Sequence, residues 1–200
     1  NTLRFHLEKM EHNHGFFTHF NDVETGATFG HSEVSPIDTS LLLCGVLAAR
    51  AHFHTDGEIN KLATQLYNRV DWPWMLNGGD TFAMAFRNGA FERARWSHYC
   101  ELMMMYLLAL GSPTHPVEAA SWDAWTRPVM HYDGFTYISA ADPLFVHQYS
   151  HAWFDFRRKR DKYANYFTNS ITATRAHRAF CLSLGKPYSD DSWGITASDY

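Results

Sequence analysis

Glu101 is the residue whose placement most plainly invites chemistry. It stands directly ahead of Leu102 to Leu110, nine apolar residues in a row reading LMMMYLLAL, and Trp96, His98 and Tyr99 come just before it. If the helix starts near Trp96, Glu101 lies in its second turn, beyond the reach of N-terminal capping. A carboxyl held against aromatic rings loses hydration, and its pKa rises. That is the condition for a general acid working near neutral pH. The plainer alternative is a structural ion pair with Arg93 or Arg95 at the helix mouth.

Asp38 is a second candidate carboxylate. In SPIDTSLLLCG, Ser35 reads as an N-cap, Pro36 as the first helical residue and Asp38 as N3. A capping box therefore explains Asp38 without any ligand, and substrate binding is the competing role. Glu33, Asp22 and Glu24 lie just upstream and are expected to be solvated.

In LFVHQYSHAWFDFRRKRD, His147, His151 and Asp155 recur at i, i+4 and i+8, one stripe of a helix. The spacing is H-x-x-x-H with Gln148 inside and lacks the Glu of H-E-x-x-H, so a metal centre is not indicated. The stripe reads as the lining of a cleft, with Gln148, Tyr149, Ser150 and Trp153 beside it, or as a buried polar network. Trp72 and Trp74, in VDWPWMLNGG, fall in an expected Pro-broken loop ending at Asn77-Gly78-Gly79. Exposed flat rings beside carboxylates and amides suit the C–H faces of a sugar.

Composition removes several other classes. A net charge of -4 and a pI near 6.3 argue against an electrostatic nucleic-acid binder. The longest apolar runs are about half the roughly 20 residues that cross a bilayer, so no membrane span is expected. Cys44, Cys100 and Cys181 lie far apart within apolar patterns and read as buried free thiols. No phosphate-binding glycine loop, GxSxG elbow or DDxxD motif occurs; Asp190-Asp191 runs into Ser192-Trp193-Gly194. Neither a metal nor a cofactor is called for.

The elements that must position these residues are helices. The spacing predicts them over Leu3 to about Glu11, from Pro36, over Glu58 to Val70, Trp96 to Leu110, Glu118 to Trp125, Phe145 to about Arg160 and Asp161 to Leu184. A nearly all-apolar helix followed by an amphipathic one is the pattern of an inner-ring helix and its outer partner. Hairpins are expected at Asn88-Gly89 and near Thr25-Gly26, with a short strand in DGFTYIS. The sequence opens inside a helical pattern and stops at WGITASDY, so a segment of a longer protein, truncated at both ends, is expected.

Several blocks together resemble the bacterial glycoamylase-like proteins: GFFTHF, SPIDTSLLLCG, VDWPWMLNGG, RWSHYCELMMMYLLALGSPTHP, SWDAWTRP, PLFVHQYSHAWFDFR, TRAHRAF and WGITASD. That family includes endo-β-1,2-glucanases and a related domain of cyclic β-1,2-glucan synthases. The resemblance implies an all-α (α/α)6 toroid, here incomplete but a single domain over residues 1–200, with the active site in its central cavity. It implies a glycoside hydrolase acting on β-1,2-glucan, with a transglycosylase or a non-catalytic carbohydrate-binding protein as alternatives. Glu101 maps to the acid, and the partner carboxylate is expected beyond Tyr200. Asp38, Trp74, Asn77, Trp96, Tyr99, His147, Gln148, His151 and Asp199 are the expected substrate-binding residues. Cys100 stands where Ser is expected, and His31 and Asp80 do not match the pattern. The partner implied is an oligo- or polysaccharide, and the implied location is periplasmic or secreted.

Overall fold

In the computed structural model, which describes residues 1–140 and 143–197, helices alternate with three two-stranded hairpins. The chain divides into two units. The first comprises Asn1–Ser97 and Met104–Trp125; the second comprises His98–Met103 and the described residues from Thr126 onward.

The first unit opens with α1 (Thr2–Glu8) and a hairpin of β1 (His12–Asn13) and β2 (Phe16–Phe17). Its turn is His14-Gly15, both at positive φ. A Cβ on Gly15 would stand 2.6 Å from the Arg69 carbonyl oxygen, so the close approach as well as the backbone requires glycine. The expected turn near Thr25-Gly26 is present, flanked by the bridge Asn21↔Thr28, but no strand forms around it. The side chain of Asp22 takes the N–H groups of Glu24 and Thr25 and closes the loop instead.

Ser35 caps α2 (Pro36–His52), and Asp56 caps α3 (Gly57–Asn68) by accepting from the N–H groups of Glu58 and Ile59. The amphipathic α3 buries Leu62, Ala63, Leu66 and Tyr67 and packs against both α1 and α2. The apolar excess of α2, including Leu41, Leu42 and Ala49, lines a groove of about 690 Å³ bordered by α1 and α3.

VDWPWMLNGG corrects the expected loop. Asp71 accepts from the Trp74 N–H and starts a short helix, α4 (Trp72–Leu76), with Pro73 in its first turn, where a missing N–H costs nothing. Asn77 closes it in the left-handed region at φ 46. Trp72 is fully buried and is core, contrary to the expected exposed ring. The Asn88-Gly89 hairpin forms as expected between β3 (Phe86–Arg87) and β4 (Ala90–Phe91), both turn residues at positive φ.

α5 (Met103–Leu110) is among the most buried elements. Met103, Met104, Met105 and Tyr106 are fully inaccessible, and Leu107 is half-buried. It starts seven residues later than expected because the preceding backbone is used otherwise. Arg95 bridges Ala83, the Trp96 N–H donates to the Phe82 carbonyl, and the Tyr99 N–H donates to the Thr126 carbonyl. The short α6 (Ala120–Ala124) ends the first unit.

In the second unit, β5 (Val129–Tyr132) and β6 (Phe135–Ile138) pair across Asp133-Gly134. The single strand expected there is thus a complete hairpin. The helix expected over Phe145 to Arg160 is broken into a 3₁₀ turn (Leu144–His147) and α7 (Tyr149–Trp153). Phe154 is extended, and the Asp155 carboxylate takes the Arg157 N–H, which ends the helix. Asn165 then caps α8 (Tyr166–Ser183), which packs on β6 and the 3₁₀ turn. Asp161 precedes that helix and binds the N–H groups of Tyr163 and Ala164.

Candidate active site

Glu101 sits on the turn that leads into α5, two residues before its first helical residue, and is half-buried. It is therefore not in a second helical turn, and its carboxyl is placed by the turn's anchors. The Tyr99 N–H donates to the Thr126 carbonyl at 2.8 Å, and the Ser150 hydroxyl donates to the Glu101 carbonyl at 3.0 Å. Burial, with the Glu101 charge adding, pushes the neighbouring Cys100 thiol far up and keeps it protonated. Arg95, one of the ion-pair partners considered above, sends its guanidinium to Thr81 and the Leu76 carbonyl.

Tyr99 is fully buried behind this turn. Its ring stacks on Tyr166 at 6.1 Å, and its hydroxyl lies 3.3 Å from Nδ1 of His147 and 3.5 Å from Nδ2 of Asn169. Asn169 also bonds both backbone groups of Ile138, tying α8 to β6. Burial pulls the His147 pKa down to about 4, and His151 and His177 push in the same direction. Burial likewise lowers His151, whose Nε2 is enclosed without a hydrogen-bond partner and whose ring lies 4.7 Å from Phe156. Both imidazoles are thus neutral groups at neutral pH, each able to donate and accept.

A cavity of about 750 Å³ opens between the β5–β6 hairpin and α8. His98, His131, His147 and His177 line it together with Tyr137 and Phe180, and no Asp, Glu, Lys or Arg is among its described lining residues. Of the expected stripe, only His147 reaches this cavity. His151 packs on Phe156 and Phe167, while Asp155 is exposed and held by Arg157 at 2.8 Å. Gln148, exposed, joins the 3₁₀ turn to α7. Among the described residues no cluster of His, Cys, Asp and Glu has metal-binding geometry.

Of the other expected residues, Trp74, Asn77, Trp96 and Asp38 belong to the first unit. Trp74 is half-buried, with one face covered by the parallel His14 ring at 4.4 Å and with Phe86 and Phe91 each 4.9 Å away. It is an aromatic cluster member with less free ring surface than an exposed loop would give. Asn77 is exposed behind it. Trp96 is half-buried, and its carbonyl accepts from the Tyr106 hydroxyl at 2.8 Å. Asp199 lies outside the described residues.

Asp38 makes only half of the expected capping box. Its N–H donates to the Ser35 hydroxyl at 3.3 Å, but the Ser35 N–H is taken by the Phe17 carbonyl. The Asp38 carboxylate therefore accepts from the Ser35 hydroxyl at 2.5 Å and faces His19 at 3.8 Å. Glu33, expected to be solvated, is instead paired with His19 at 3.1 Å and Arg87 at 2.9 Å. Burial works against its charge, yet these partners and a backbone hydrogen bond hold its pKa below the ordinary range.

Sequence reasoning missed His19, His131, His177 and Phe180 as a cavity wall or carboxylate partner. Asp133-Gly134 could have announced the hairpin that carries His131; nothing in the spacing announces the rest.

Residues 93–200 match the family model described as "Glycoamylase: Putative glucoamylase". A curated exo beta-1,2-glucooligosaccharide sophorohydrolase (non-reducing end) of Parabacteroides distasonis is 27% identical over 238 residues, covering 97% of this chain and 33% of that protein. An endo-beta-1,2-glucanase from Chitinophaga pinensis, solved with sophorotriose and glucose, superposes with a TM-score of 0.87 at 26% identity, over 96% of this chain and 52% of that one. A beta-1,2-glucanase from Parabacteroides distasonis gives 0.89 at 24% identity, over 98% and 34%, a likeness of fold. The chain thus spans between a third and about half of the length of these relatives.

Proposed function

The chain belongs to the glycoamylase family, and on that premise we propose that the protein is a glycoside hydrolase acting on β-1,2-glucan. Glu101 donates a proton to the glycosidic oxygen, and a second carboxylate, following Tyr200 in the full-length protein, activates water. The TM-scores support an (α/α)6 toroid to which these helices contribute a part. A periplasmic or secreted location goes with the same reading.

The observation that carries the reading is that the anchored Glu101 turn falls in the same unit as a cavity lined by His98, three residues earlier, with no charged side chain among the described lining residues. The neutral imidazole of His147 suits hydroxyl groups because it can both give and take a hydrogen bond. Tyr137 and Phe180 offer flat apolar surface to the C–H faces of a pyranose. The described lining residues offer an anionic or cationic ligand no counter-charge, whereas a neutral polyol finds hydrogen-bonding partners among them. In the first unit, Asp38 accepts hydrogen bonds from sugar hydroxyls.

Product analysis of the full-length protein on β-1,2-glucan tests this. New reducing ends in proportion to bonds cleaved support hydrolysis. Redistributed chain lengths without new reducing ends would mean transglycosylation, and binding without either product would mean a non-catalytic carbohydrate-binding protein.

A further inference from the structure

His19 stands between two carboxylates that lie far apart from each other in function as read from sequence. Its Nδ1 is 3.1 Å from Oε1 of Glu33, and its Nε2 is 3.8 Å from Oδ1 of Asp38. The opposite oxygen of Glu33 accepts from Arg87 at 2.9 Å, and Arg87 also faces Glu92 at 3.8 Å. The imidazole lies flat on Phe20, ring centroids 4.0 Å apart at 18°, which limits its rotation. Its backbone is fixed as well, since the His19 N–H donates to the Glu33 carbonyl at 2.9 Å. Arg87, Glu33, His19 and Asp38 therefore form one chain of alternating basic and acidic side chains, running from the β3–β4 hairpin to the first turn of α2.

A helix cap does not need this chain. Ser35 already satisfies the Asp38 N–H, and the first-turn carboxylate gains its favourable interaction with the helix terminus from position alone. What the chain adds is orientation: His19 faces Oδ1 while the Ser35 hydroxyl holds Oδ2. The Asp38 side chain keeps 34% of its surface accessible, so a fixed carboxylate is presented outward. Hydrogen bonding to a sugar hydroxyl is sensitive to such orientation, because acceptors must meet donors within a narrow range of distance and angle.

We propose that His19 is a positioning residue for Asp38, backed by Glu33 and Arg87, and that this relay sets the affinity for the sugar. It rests on the reading above that Asp38 accepts sugar hydroxyls. An interaction made equally in the ground and transition states raises KM when lost and leaves kcat in place.

The test uses the full-length protein with β-1,2-linked glucooligosaccharides, measuring kcat, KM and melting temperature. Asp38→Asn should raise KM. His19→Ala should raise it roughly 2- to 5-fold, the scale of an exposed polar contact longer than a hydrogen bond, with kcat little changed. His19→Gln, which retains an N–H donor, should recover part of the loss. The double variant His19→Ala with Asp38→Asn should bind no more weakly than Asp38→Asn alone, since one residue acts through the other. If His19→Ala does not fold, His19→Gln and Glu33→Gln carry the test, and both should raise KM in a folded enzyme. A raised KM in Asp38→Asn with a normal KM in the His19 and Glu33 variants would overturn the positioning role alone, as would losses that multiply in the double variant. A normal KM in Asp38→Asn would overturn the underlying reading and the relay with it.

Discussion

The hydroxyl of Ser150 donates a 3.0 Å hydrogen bond to the backbone carbonyl of Glu101. It is the link through which α7 fixes the turn that carries the proposed acid, and Ser150 itself is fully buried. Replacing it with Ala leaves that carbonyl without this donor, at a cost of about 1–3 kcal/mol if no water substitutes. Ser150→Ala should lower both stability and kcat, with KM nearly unchanged, because the turn and not the sugar contact is loosened. Denaturant unfolding and steady-state kinetics on one preparation check this. An unaltered kcat would show that the turn is held adequately by its other contacts, the Tyr99 N–H among them.

His147 gives a pH dependence of stability. Burial, with His151 and His177 adding, lowers its folded pKa to about 4, below the roughly 6.5 of an exposed histidine. Between those values the unfolded chain binds the proton and the folded chain does not. Stability is therefore fully present above about pH 6.5 and falls as the pH drops toward 4. Melting temperature measured across that window should decline on acidification, and His147→Gln should flatten the decline. A slope unchanged in the variant would assign the acid sensitivity to other groups.

Tyr67 holds the end of α5. Its hydroxyl donates to the Leu108 carbonyl at 2.7 Å, and burial pushes its pKa up to about 12. Tyr67→Phe should cost about 1 kcal/mol of stability, the usual net value of a buried hydrogen bond, with an unchanged denaturant slope. Equal stability in Phe and Tyr forms would mean that water replaces the hydroxyl.

These contacts mark what the sequence made legible. Ser35-Pro36 announced the start of α2, and Asn88-Gly89 announced a hairpin, because both rest on local backbone requirements. The apolar run of α5 announced its burial. Its starting point was not legible, since the residues before it are diverted to Phe82, Ala83 and Thr126, all distant in sequence. The helical stripe of His147, His151 and Asp155 failed for a related reason: the Asp155 carboxylate bonds the chain just ahead and stops the helix. The cavity's histidines come from four separate segments, so no spacing rule could gather them. Similarly, His19 meets Asp38 only because the loop between them folds back through the bridge Thr18↔Val34.

Turnover of β-1,2-glucan by full-length Glu101→Gln tests whether Glu101 is the general acid. The amide keeps the size of the side chain and can still hydrogen-bond, but it has no proton to give to the leaving oxygen. The kcat should fall at least about 100-fold with substrate still bound, since general acid catalysis contributes roughly 10²–10⁴-fold. The basic limb of the pH–rate profile should vanish with it, because that limb reports deprotonation of the acid. A well-folded Glu101→Gln enzyme with near-normal turnover would contradict the assignment.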